Sequence, residues 1–99
     1  MAEIIEQGEV NIAGTILCTG GTGISTRLFV IRAYNNVPYV LRLERYSNDT
    51  ATTETLFEFT LDAGDTVTDT TLYFLKNLDQ LILYSDVPGT SYYIYGQGN

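Results

Sequence analysis

Apolar and polar residues alternate with a period of two along most of this chain, and no stretch carries the three-to-four-residue stripe of an amphipathic helix. Residues 9–17 read as a strand with Val10, Ile12 and Ile16 on one face, and Gly14 suggests a bulge. Residues 25–34 and 37–46 form the clearest pair, separated only by Asn35-Asn36, and Asn tolerates the left-handed backbone of a tight hairpin turn. Residues 53–61 alternate cleanly, with Thr55, Phe57, Phe59 and Leu61 inward and Glu54 and Glu58 outward. Shorter strands follow at 71–75, 80–85 and 91–95, with Pro88-Gly89 expected to turn the last two into a hairpin. Seven to eight short strands at this spacing predict a single all-β domain, an antiparallel β-sandwich or a partly closed barrel.

The expected central hairpin sets Leu28 opposite Leu43, Val30 opposite Leu41 and Arg32 opposite Tyr39 on a core-facing side. Its other side carries Arg27 opposite Glu44, Phe29 opposite Arg42 and Ile31 opposite Val40. Phe29, Ile31 and Val40 make that second face half-apolar, so it should be covered by another layer or another subunit. Pro38 marks an edge near this end of the strand, and edges are where other chains add on.

Residues 1–8 stand apart from residues 9–99 as an N-terminal arm or edge strand, with Ile4 and Ile5 outside the alternating strands and Gly8 as a joint. Those isoleucines either lie back on their own sandwich or reach a neighbour, and residues 2–7 are expected to serve assembly rather than their own domain. On the last strand, Tyr92, Tyr93 and Tyr95 put large side chains on both faces. Either one pair fills the core and the other packs under a loop, or the outward pair contributes a protein or glycan contact.

Composition narrows the function. The 99 residues hold eight Tyr and four Phe but no Trp, and twelve acids against five bases leave a net charge of −7. That charge repels phosphate backbones, so no nucleic-acid partner is expected. The chain has no His and a single cysteine, Cys18, which excludes an internal disulfide and leaves that thiol without an activating base. The Gly20-Gly21-Thr22-Gly23 loop precedes a β-rich stretch rather than a helix and lacks the Lys-Ser/Thr of a nucleotide loop. Asp62, Asp65 and Asp69 cluster at one turn without a calcium-loop pattern. No catalytic, cofactor-binding or metal-ligating set is expected, and no enzyme. The N-terminus lacks signal-peptide features and no apolar run is of membrane-spanning length.

Phe57, Phe59 and Leu61, then Ala63-Gly64-Asp65, Leu72 and Leu75, Asp79, Leu81, Leu83 and Ser85, and finally Tyr93, Tyr95 and Gly96 form a loose pattern over the second half. This pattern resembles small virion proteins of tailed bacteriophages, in which a strand ends in a Gly-Asp turn and is followed by Leu-rich strands and an aromatic final strand. Leu78-Asp79 stands where that pattern usually has Gly-Asp. The resemblance covers a little under half the chain. It implies a β-sandwich made in the host cytoplasm and carried on the virion, as a capsid decoration protein or a head or tail accessory subunit. The partners expected are further copies of the chain, a trimer among the candidate assemblies, and the major capsid or another virion protein. The alternative is a glycan- or receptor-binding sandwich of a phage tail or fibre. Interface residues expected on either reading are Ile4, Ile5, Phe29, Ile31, Val40, Tyr92, Tyr93 and Tyr95.

Overall fold

A computed structural model describes the backbone of residues 2–20 and 25–98, and the side chains of residues 7–20, 32–68 and 74–94. Eight strands follow one another without a helix among the described residues: β1 (Ala2–Glu9), β2 (Thr15–Thr19), β3 (Ser25–Tyr34), β4 (Tyr39–Ser47), β5 (Thr52–Leu61), β6 (Thr66–Leu75), β7 (Gln80–Ser85) and β8 (Ser91–Gly98). Their pairing is a mirror about the middle of the chain. Ala2 faces Gly98, Thr15 faces Leu83, Ser25 faces Leu75, Tyr39 faces Leu61 and Ser47 faces Thr52, always antiparallel. The chain is thus one long ribbon doubled back at residues 48–51, where Ala51 takes a left-handed φ of 52°.

The ribbon is then rolled, so that β8 also pairs with β3 and β7 with β4. Two four-stranded sheets result, in the orders β1-β8-β3-β6 and β2-β7-β4-β5. They form an antiparallel β-sandwich of the eight-stranded jelly-roll type, not a closed barrel. Its core is lined by Val10, Leu17, Ala33, Tyr39, Leu41, Leu43, Leu75, Leu81, Leu83 and Ile94. Each fully buried Leu or Ile contributes about 1.5–3 kcal/mol. The Leu81, Leu83, Ser85 stripe of β7 is buried as period-two alternation requires.

Rolling overturns the expected central hairpin. β3 and β4 belong to different sheets, so none of the cross-strand pairs expected across Asn35-Asn36 exists. A two-residue hairpin of that kind needs φ > 0 at both central residues, and neither Asn35 nor Asn36 has it. Pro38 instead lies in the crossing to β4, an interior strand, and marks no edge. Pro88-Gly89 likewise carries the chain between sheets. The expected strand over 9–17 is broken at residues 10–14: the Asn11 side chain accepts the amide of Ala13 at 2.9 Å and its carbonyl accepts that of Gly14 at 2.9 Å. Val10 is consequently buried, while Ile12 and Ile16 are exposed.

Alternation along β3 is also reversed from expectation. Ala33 is buried while Arg32 and Tyr34 are exposed, so backbone positions 29 and 31 run in phase with the buried residue. On β5 a register shift opposite Leu43/Glu44 sets Thr55 across from Glu44 and Glu54 across from Arg45, moving Thr55 off the inward row. Phe57, Phe59 and Leu61 keep that row, but β5 is an edge strand and Phe59 stays 38% exposed. Residues 2–7 are paired with β8 along their length rather than free as an arm. Gly8 is no joint: it sits opposite Tyr92, whose ring covers the space its missing side chain leaves.

Different chemistry closes the two ends of the sandwich. At the end holding the β4–β5 turn, the side chain of Asp79 is fully buried. It accepts hydrogen bonds from the Asn48 amide (2.9 Å), the Lys76 amide (3.0 Å) and the Arg45 guanidinium (2.8 Å). Its own carbonyl accepts the Gly20 amide at 2.8 Å, and the Gly20 carbonyl accepts that of Leu78 at 3.0 Å. Gly20 is required there, because any Cβ would collide with the Lys76 carbonyl. Burial by itself pushes the Asp79 carboxyl up, but the two amides and the Arg45 charge outweigh it and hold it below the ordinary value.

At the opposite end the buried groups are neutral. The Asn35 amide donates to Thr90 Oγ1 (2.8 Å) and the Pro88 carbonyl (3.2 Å), and the Ser85 and Thr90 hydroxyls lie 2.6 Å apart. The Asn35 carbonyl accepts the Gly64 amide at 2.9 Å and Thr90's carbonyl accepts the Val10 amide at 2.7 Å. Through its side-chain amide and its backbone carbonyl, Asn35 therefore joins the β3–β4, β5–β6 and β7–β8 crossings. Tyr39 donates its hydroxyl to the Asp65 carbonyl at 2.8 Å. Its phenol is pushed above its ordinary value by burial first, then by the charge of Asp65 and by Tyr34.

Candidate functional site

Two outward surfaces are the candidate sites. The first is an open depression of about 550 Å³ on the β1-β8-β3-β6 sheet, near the Asn35 end. Adjacent strands bring its residues together: Gln7 pairs with Tyr93 and Tyr93 with Arg32, while Tyr34 pairs with both Ser91 and Thr66. Tyr34 is 44% and Tyr93 38% exposed. Gln7, Arg32, Thr66 and Ser91 add hydrogen-bonding groups, and among the described residues no acidic side chain lines the depression.

Arg32 differs from the other described cations. Arg42 pairs with Glu44 at 2.6 Å, Arg45 with Asp79 at 2.8 Å and Lys76 with Asp49 at 3.3 Å. Among the described residues, no carboxylate pairs with Arg32, which is exposed beside the tyrosines.

The second surface is the outer side of the β2-β7-β4-β5 sheet. Ile16 pairs with Ile82 across β2 and β7, Tyr84 follows on the same face of β7, and Val40 and Arg42 lie on the outward side of β4. The Arg42 guanidinium stands 4.7 Å from the centre of the Tyr84 ring, within cation–π range. Ile12, at 57% exposure, and Ile16, at 53%, are open to solvent. The turn carrying Ile12 lies close to the sheet because Gly14 has a φ of +110°, and a Cβ there would sit 2.8 Å from the Tyr84 ring. Glu44 and Glu58, the latter opposite Arg42, border the apolar area.

Comparison with protein-family models, with characterised proteins and with solved structures finds no match.

The structure separates the eight expected interface residues. Tyr93 lies on the first surface and Val40, half-buried, on the second. Tyr92, half-buried, packs against the core and also lines the first depression. The side chains of Ile4, Ile5, Phe29, Ile31 and Tyr95 lie outside the described residues; their backbone places Ile5 opposite Tyr95 and Tyr95 opposite position 30. Among the described residues, no group of three or more His, Cys, Asp or Glu is placed to hold a metal ion. No helix among them is long and apolar enough to cross a membrane. Arg32, Tyr34, Ile16, Ile82 and Tyr84 were not singled out from sequence. The alternation set Arg32 on the core-facing side of its strand, opposite to its place in the fold, and it does not say which strands lie side by side.

Proposed function

We propose that this chain is a non-catalytic structural subunit of a bacteriophage particle, a capsid-decoration-type protein that assembles as a symmetric homo-oligomer. The observation that carries this reading is the outer face of the second sheet, where Ile12, Ile16, Ile82, Val40 and Tyr84 present an apolar area rimmed by charges of both signs. Monomers rarely leave such areas uncovered. A face holding both Arg42 and Glu58 is self-complementary, so a second copy meets opposite charges around an apolar centre.

Two further points support the virion setting. The jelly roll recurs in viral capsid and lectin domains, an analogy of fold alone. Leu78, standing where the resembling phage pattern has Gly, takes a left-handed φ of 65°, the conformation that favours Gly. Asp79 beside it holds the end of the sandwich together, so the departure from Gly-Asp falls at a position whose backbone favours Gly.

Sedimentation of the purified chain should show an oligomer, and Ile16→Asp should return it to monomer with an unchanged β spectrum. A wild-type chain that sediments as a monomer at high micromolar concentration, and that is missing from purified virions by mass spectrometry, would overturn the reading.

A second reading is favoured by the depression on the first sheet: a glycan-binding module. Exposed Tyr34 and Tyr93 flanking hydrogen-bonding side chains on a rigid sheet suit a shallow saccharide site.

A further inference from the structure

We propose that the depression formed by Gln7, Arg32, Tyr34, Thr66, Ser91 and Tyr93 binds a carboxylated saccharide, a sugar residue of the uronic- or sialic-acid class. The inference rests on the glycan reading of this sheet and is independent of the assembly face on the other one.

The charge distribution selects an anion. The chain carries a net charge of −7, yet among the described residues no Asp or Glu lines this depression, and Glu9, opposite Ser91 on β1, lies outside the lining. Arg32 is the described cation without a carboxylate partner, whereas Arg42, Arg45 and Lys76 are each engaged. A guanidinium presents a planar fork that meets a carboxylate through two parallel hydrogen bonds. One exposed cation suits one carboxylate. A long polyanion would extend beyond the depression over an acidic surface, and screening confines Arg32's attraction to about 8 Å at physiological ionic strength.

The rest of the lining selects a sugar as the carrier of that carboxylate. Tyr34 and Tyr93 are exposed on neighbouring rungs of β3 and β8, on the same side of the sheet as Arg32. The negative faces of such rings attract the C–H bonds of a pyranose ring. The Gln7 amide and the Thr66 hydroxyl each donate and accept, as sugar hydroxyls require, and the Ser91 hydroxyl, which donates to the Tyr34 carbonyl at 3.3 Å, still accepts. These groups stand on four strands of one sheet and so are held in register by its ladder.

The test is titration of the full chain, followed by amide NMR, with N-acetylneuraminate and glucuronate, and separately with glucose, acetate and inorganic phosphate. Saturable shifts are expected at Arg32, Tyr34 and Tyr93, with the acidic sugars binding about tenfold or more tightly than glucose or acetate. Arg32→Gln should remove that preference and Arg32→Lys should weaken it, because the charge remains and the fork does not. Tyr93→Ala should weaken the acidic sugars and glucose alike. Both substituted side chains, Arg32 and Tyr93, point outward, and retention of the β spectrum verifies folding.

Acetate or phosphate binding as well as the acidic sugars would reduce the site to a simple anion contact and overturn the proposal. Glucose binding equally well, or a preference that survives Arg32→Gln, would overturn it while leaving a neutral-glycan site standing. Absence of shifts with every sugar would remove both the inference and the glycan reading. None of these outcomes alters the sedimentation result for the other face.

Discussion

The two ends of the sandwich solve the same problem with different groups. Each must hold several loops together while burying polar atoms. At one end Asp79 does so as an anion, joining the turn after β4, the segment at Gly20 and the β6–β7 crossing through Arg45, two amides and its own carbonyl. At the other end Asn35 does so as a neutral amide, with Ser85 and Thr90 completing the network. A buried carboxylate gives stronger hydrogen bonds but makes its end of the molecule depend on ionisation. The amide network carries no such dependence. One fold therefore contains an acid-sensitive end and an end whose amide network does not respond to acid, and the depression with Arg32 and Tyr34 lies beside the latter.

The largest test of that contrast is Asp79→Ala. It leaves Arg45 and two amides without their acceptor, so a loss of about 3–5 kcal/mol in denaturant unfolding is expected. The wild type should show the same dependence on pH. Folding holds the Asp79 carboxyl below its unfolded value, so its contribution is complete above the unfolded pKa of about 3.9 and is lost as pH falls through the lower folded value. Asp79→Ala should flatten that part of the acid profile; a profile as steep as the wild type's would mean that other carboxylates govern it.

Asn35→Ala should cost less, about 1–3 kcal/mol, because it strands neutral partners only. Its loss should be the same at neutral pH and in acid well below the unfolded carboxylate value, where that of Asp79→Ala shrinks. A double variant should be additive within about 0.5 kcal/mol if the ends are independent. Strong coupling would mean that the ribbon transmits strain between them.

The smallest effect, and the only gain, is expected from Leu78→Gly. Leu78 is 52% exposed and holds a φ of 65°, so Gly relieves backbone strain while little packing is lost. A stabilisation of up to about 1 kcal/mol is expected from thermal or denaturant unfolding, reduced by the greater freedom of Gly in the unfolded chain. A loss instead would show that the exposed Leu78 side chain contributes packing at the Asp79 end.

Much of the secondary structure was legible from the alternation alone. Ser25–Tyr34 and Gln80–Ser85 are strands with the expected ends, and the inward sets Leu41/Leu43 and Leu81/Leu83/Ser85 follow from period two. The all-β class, the strand number and the sandwich followed as well. A period of two states that one face of a strand is buried, but not in which sheet or beside which strand. Sequence nearness argued for β3 against β4 and β7 against β8, whereas the fold pairs residues equidistant from the midpoint, such as Arg32 with Thr68. That choice depends on contacts between distant segments and on backbone angles at Asn35 and Asn36 that residue type does not dictate. The candidate sites share this fate. Tyr93 was visible as an aromatic of the final strand, but Arg32, Tyr34 and Gln7 gather around it only because β8 lies between β1 and β3. Local sequence determined that the strands alternate; the rolling of the ribbon decided which phase of β3 faces outward and which side chains meet.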